Sequence, residues 1–216
     1  EELMLDMAEE YFGDIEDNNL AIPAIAEEPV QREPRRLEVE REVPATDITI
    51  AFHMGDRLSR DFFLGDLSSD LLAGGESSRL VNRLVKEQGI FSSVNAYITG
   101  SLDKGLFIIK GRLMPSTSEA EAEAKLWGEL NDLKEGNITD YEMEKVKNKF
   151  EANMLMGEIN IMNKAFNLCF YAMTGDTDLV NREAEIYRSL TRDEVKAFAE
   201  RCFTPNNSST LIYRAK

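Results

Sequence analysis

The sequence predicts an α+β fold: a mixed, mainly antiparallel sheet of about five to six strands with helices packed on one face. Three observations lead there. Segments with strand period fall between residues 37 and 113 and return once more at residues 208–214. Between residues 118 and 203, apolar side chains recur at helical spacing behind three capping signals. The order of strands, then a helical block, then a returning strand is that of a sheet whose helices are segregated to one side.

The elements follow in chain order. Residues 1–12 (EELMLDMAEEYF) set Leu3, Met7 and Tyr11 on one helical stripe with Met4 and Ala8 beside it, and Gly13 ends it. Residues 13–36 hold three of the six prolines, Pro23, Pro29 and Pro34, and many charges without a period, which reads as a linker. The expected organisation is the end of a preceding domain at 1–12, a linker at 13–36 and a new domain at 37–216.

Within that domain, alternation of Leu37, Val39, Arg41 and Val43, then of Ile48, Ile50 and Phe52, predicts strands over 37–43 and 46–52. A helix is expected over 59–73, with Phe62, Phe63, Leu67, Leu71 and Leu72 on its apolar side, stopped by Gly74-Gly75. Ser77 or Ser78 then caps a second helix running to about Glu87. Strands at 93–99 and 106–113 flank a turn at Asp103-Lys104-Gly105. Capping boxes at Ser118…Glu121, Thr139…Glu142 and Thr191…Glu194 announce three helices, because each hydroxyl can satisfy an orphan backbone N–H while the glutamate reaches back to another. An apolar helix at about 159–173 and another at about 178–190 lie between the last two, and the strand at 208–214 closes the chain.

Composition narrows function by exclusion. With 25 basic against 40 acidic residues the net charge is −15, which repels phosphates and anionic lipid, so nucleic acid and membrane surfaces are poor partners. No apolar run reaches the ~20 residues of a membrane span. Cys169 and Cys202 sit among apolar neighbours and read as buried free thiols, which leans toward a reducing, cytoplasmic setting. The opening at Glu1, inside a helical pattern, suggests a fragment whose upstream sequence is missing, so targeting is left open.

The search for chemistry returns little. His53 is the one histidine, so no His-x-x-Glu-His or His-Glu-x-x-His helix can be written, and a lone histidine at a strand end reads as structural. Neither cysteine has an evident activator. Acidic pairs such as Glu119, Glu121 and Glu123 suit solvated first turns of helices. The run Gly74-Gly75-Glu76-Ser77-Ser78-Arg79 lacks the Gly-Lys-Ser/Thr ending of a phosphate loop and follows a helix rather than a strand. Met154, Met156, Met162 and Met173 are assigned to core packing between helices.

The segment Leu71-Leu72-Ala73-Gly74-Gly75-Glu76-Ser77-Ser78-Arg79-Leu80 resembles the L-G-G-G-x-S-S-R-L signature of insulinase/pitrilysin-type zinc metallopeptidases. Other landmarks fall in the family's order: LVKEQGIF at 84–91, Gly105-Leu106-Phe107, GNITDYEMEKVK at 136–147, and Thr204-Pro205-Asn206-Asn207 before the last strand. The resemblance, which spans nearly the whole chain, implies the C-terminal, non-zinc-binding domain of such a peptidase. It implies paired homologous α+β domains enclosing a chamber, with zinc held by an upstream domain and none by this chain. The parent would be a zinc metalloendopeptidase, and this chain alone inactive. The implied partners are that upstream half, a peptide substrate, and a homodimer mate or paralogue. The family's C-terminal domain commonly supplies an Arg and a Tyr seven residues apart to hold substrate; here those positions fall at Val85 and Ser92, neither able to do that work. Arg79, Arg83 and Lys86 could substitute a cation, although a solvated helix face is the plainer reading. An inactive scaffold or assembly subunit of the same fold is the alternative function.

Overall fold

A computed structural model describes residues 2–16, 26–100 and 102–216, and the chain divides into two compact units, residues 1–30 and 31–216. In the first unit, helix α1 (Glu2–Phe12) buries none of its residues. Part of the expected linker, residues 17–25, lies outside the described residues. The second unit opens at Gln31, whose buried side-chain amide donates to Ser208 O at 2.7 Å, a few residues ahead of the predicted domain start.

The second unit carries a five-stranded sheet in the order β1 (Arg35–Arg41), β5 (Ser208–Ala215), β2 (Asp47–His53), β4 (Leu106–Leu113), β3 (Phe91–Ile98). Only β1 and β5 pair in parallel; the other three pairings are antiparallel. The mixed, mainly antiparallel sheet is therefore the one the sequence predicts. Period-two alternation decides the faces. Ile48, Ile50 and Phe52 of β2, Phe107 and Ile109 of β4 and Ile212 of β5 are fully buried against the helices. Gly111 of β4 belongs there too: a Cβ would stand 2.6 Å from the Phe91 ring, so only glycine lets that ring lie over the strand.

The helices are α2 (Arg60–Ala73), α3 (Glu119–Lys134), α4 (Asp140–Glu158), α5 (Ile161–Met173), α6 (Leu179–Ser189) and α7 (Arg192–Cys202). Capping boxes form in full at Thr139–Glu142 and Thr191–Glu194, while at Ser118 the hydroxyl accepts from Glu121 N–H at 3.2 Å. Aromatic rings stitch the helices to the sheet: Phe203 meets Phe107 edge-on at 4.8 Å and Phe52 at 5.2 Å, and Trp127 meets Phe52 at 5.7 Å.

Three expectations are corrected. The segment after the glycines, Val81–Glu87, is π-helical, with Gln88 N–H reaching back five residues to Arg83 O, and Ser78 donates to Gly75 O instead of capping. Cys202 is buried but Cys169 is exposed, because α5 turns that face outward. Of the methionines assigned to the core, Met162 and Met173 of α5 are exposed for the same reason, and Met156 near the end of α4 is exposed as well. Periodicity reports an apolar face without reporting what covers it.

Candidate functional site

Within the described residues of the second unit, the sheet has one face under helices and one without them. On the open face the register aligns rows across the strands: Leu37, Leu211, Thr49, Lys110 and Asn95 in one, and Ser209, Ala51, Ile108 and Tyr97 in the next. No residue of these rows is fully buried, and Tyr97 is exposed. A third row holds Tyr213, Asp47, Arg112 and Ser93. Asp47 accepts from Arg112 at 3.0 Å and meets Lys110 at 3.4 Å. Burial works to raise the Asp47 carboxyl, but these two cations hold it below its ordinary value. The face thus combines half-exposed apolar side chains with an anionic centre whose two cations are themselves exposed. It offers van der Waals surface and charge to an extended, amphipathic ligand.

The predicted site residues are not gathered there. Val85 sits in the π-helical segment and packs half-buried against the core. Ser92 lies on a bulge of β3, exposed, its hydroxyl donating to Arg112 O at 3.3 Å. The candidate substitute cations are all committed elsewhere. Arg79 is not on a solvated face: it is buried, and its guanidinium donates to both Glu142 oxygens at 2.6 and 2.8 Å and to Asn137 O. Burial pushes the Glu142 carboxyl up, but Arg79 and the Thr139 N–H and hydroxyl outweigh it and bring it to about 2. Arg83 bridges Glu129 and Asp132 at 2.8 Å each, and Lys86 meets Glu76 at 2.8 Å. Among the described residues, no three His, Cys, Asp or Glu side chains are gathered to hold a metal ion. His53 lies half-buried at the end of β2, where its backbone oxygen accepts from the Asn207 amide at 2.9 Å.

Sequence reading passed over a second polar cluster. Arg57 lies over the Phe62 ring at 4.2 Å and donates to Tyr171 Oη at 2.8 Å and Glu183 at 2.9 Å. Beside it Tyr187 donates to Asp66 at 2.5 Å, and burial drives the Asp66 carboxyl and both tyrosine phenols upward. Its partners lie 114 and 126 residues away along the chain, a separation no local motif carries. The cluster ties α5 and α6 to α2 and the turn before it, and leaves Arg57 Nη1 buried without a hydrogen-bond partner among the described residues. The open-face residues, by contrast, were legible: they are the odd-phase partners of each strand's buried set.

Comparison with known proteins decides the family. The sequence profile of the Peptidase M16 inactive domain matches residues 1–150. The chain belongs to this family. Among curated proteins none matches the sequence. A protease from Helicobacter pylori superposes with a TM-score of 0.92 at 20% identity, over 99% of this chain and 52% of that one. An inactive peptidase domain from Bordetella parapertussis gives a TM-score of 0.73 at 22% identity over 82% of this chain and 97% of that domain. A chain of complex III from Candida albicans gives 0.66 at 14% identity, over 83% of this chain and 45% of that one. These likenesses are of fold. The M16 inactive domain spans about half the length of the Helicobacter protein it resembles. Among the described residues no helix is long and apolar enough to cross a membrane.

Proposed function

We propose that this M16 inactive domain is the non-catalytic half of a zinc-dependent peptidase, walling a peptide chamber beside an upstream zinc-bearing half of the same polypeptide. The observation that carries the reading is the open sheet face. A face lined by Tyr97, Ile108 and Leu211, with Asp47, Lys110 and Arg112 beside them, suits the alternating apolar and polar side chains of an extended peptide. In this reading residues 1–12 end the preceding domain, 13–36 form the linker and 37–216 close the chamber. Zinc and the activated water belong to the upstream half, where a metal would lower the pKa of bound water and polarise the scissile carbonyl. This chain supplies walls and contacts. Val85 and Ser92 stand where an Arg/Tyr pair would hold substrate, so that contact is made by other groups.

One observation favours a second reading, an assembly subunit without proteolytic activity. Arg79, Arg83 and Lys86, the cations that could substitute for the lost pair, are each held by a carboxylate within the domain, which draws them away from a developing oxyanion there. Similarity to a chain of complex III is compatible with that role.

The deciding experiment measures zinc content and peptide hydrolysis of the complete polypeptide, with the 216-residue chain as control. One zinc per complete chain with chelator-sensitive cleavage, and neither in the control, is the expected result. A zinc-free, inactive complete polypeptide would establish the assembly reading instead.

A further inference from the structure

The corner where α4 ends and α5 begins gathers six exposed large apolar residues within twelve positions of the chain. Leu155, Met156, Ile159, Ile161, Met162 and Phe166 are each between 55% and 80% exposed. At those exposures they present roughly 800 Å² to solvent, above the ~300–600 Å² of the largest patch on a typical monomer and close to one side of a standard interface. A groove of about 360 Å³ runs alongside, lined by Phe150, Met154, Asn163 and Phe166 among others. The helix itself explains the exposure. Between Asn153 and Met173 the only charged residues are Glu158 and Lys164. Helix α5 is therefore apolar around most of its circumference, while its one buried residue is Tyr171, held by Arg57. A helix apolar on all sides requires cover on all sides.

Charge identifies what covers it. The chain carries a net −15, so two copies repel one another except where charge is missing, and this corner is such a place. Its two charges are of opposite sign, and neither Glu158 nor Lys164 has an ion partner among the described residues. A two-fold axis through the corner brings residue i of one copy onto residue j of the other and the reverse. It can set Glu158 of each copy against Lys164 of its mate while the methionines and Phe166 pack between them. Methionine and aromatic enrichment with charge depletion is the composition of a homodimer core.

We infer that this chain self-associates as a two-fold dimer through the end of α4 and the exposed face of α5. The dimer neither requires nor supplies a zinc-bearing half, so it stands apart from the proposed function.

Sedimentation velocity on the 216-residue chain tests it. Interfaces of this size hold at micromolar concentration or tighter, so at about 50 μM the expected mass is twice 24.5 kDa. The double variant Ile161→Glu/Phe166→Glu should run as a monomer and, at dilutions where wild type is also monomeric, keep the wild-type thermal midpoint, since both side chains already face water. Glu158→Lys should weaken association at least about tenfold, and adding Lys164→Glu should restore it. A monomeric wild type at about 50 μM, or an Ile161→Glu/Phe166→Glu variant that still dimerises, overturns the inference. Failure of the swapped pair to restore binding overturns the two-fold register.

Discussion

Helices α3 and α5 make an instructive pair. Both are helices of similar length, 16 and 13 residues, in the same domain. In α3 the apolar residues form one stripe, Ala122, Leu126, Leu130 and Leu133, all at 0% exposure, and the remaining circumference is rich in charge: Glu119, Glu121, Glu123, Lys125. In α5 the apolar residues run nearly all the way round with Lys164 the only charge, and almost all of them face solvent. The narrow stripe is matched to the one contact the fold provides. The broad one exceeds any contact within the domain, so the surplus is surface for association. Apolar content alone therefore separates nothing; the width of the apolar arc relative to the available core does.

The buried side of this comparison breaks hardest at Arg79, which ties the segment after α2 to the N-terminus of α4. Arg79→Ala leaves Glu142 as a half-buried carboxylate without its principal partner, and urea unfolding should show a loss of about 3–5 kcal/mol at neutral pH. The pH dependence sharpens the assignment. Glu142 is depressed from its ordinary 4.5 to about 2 in the fold, so its contribution is fully present above 4.5 and is lost as pH falls through 2. The difference in unfolding midpoint between wild type and Arg79→Ala should accordingly shrink across that window. A constant difference would assign the role of Arg79 to packing rather than charge.

Next in size is Leu126→Ala in α3. The side chain is fully buried beneath the sheet, and its truncation should cost about 2–5 kcal/mol through lost transfer energy and the cavity left behind. A loss below about 1 kcal/mol would mean that α3 is as loosely held as α5 and would erase the contrast between them.

What was legible in the sequence follows the same division between local and distant causes. Strands β2, β4 and β5 and the boxes at Thr139 and Thr191 are written in neighbouring residues, through alternation and through hydroxyl–glutamate spacing, and they appear where those signals place them. In sequence Arg79 groups with Arg83 and Lys86 on a solvated helix face; its burial goes with its pairing to Glu142, 63 residues away. The π-helical turn at Val81–Glu87 carries the same apolar spacing as an α-helix and differs only in hydrogen-bond reach. For Cys169, Met156, Met162 and Met173, the sequence offers apolar character without a covering partner, so assignment to the core was the natural error. The open sheet face could be read from strand phase, whereas the failure of Val85 and Ser92 to converge with a free cation rests on ion pairs between separate elements.

The smallest expected effect completes the comparison from the other side. Ile161 is 80% exposed at the first turn of α5. Exchanging it for serine removes little that the fold buries, so the stability of the isolated domain should shift by no more than about 0.5 kcal/mol. The measurement must be made at low protein concentration, because any species that binds only the folded state raises apparent stability by mass action, and a dimer does so with the logarithm of concentration. Chemical unfolding repeated across a hundredfold dilution series separates the two contributions. Wild type should lose apparent stability on dilution, by about 0.7 kcal/mol per chain for each tenfold change while dimer dominates, and Ile161→Ser should be nearly flat. If both proteins are flat and differ by several kcal/mol, Ile161 is instead covered within the domain, and the surface of α5 is part of the folding core after all.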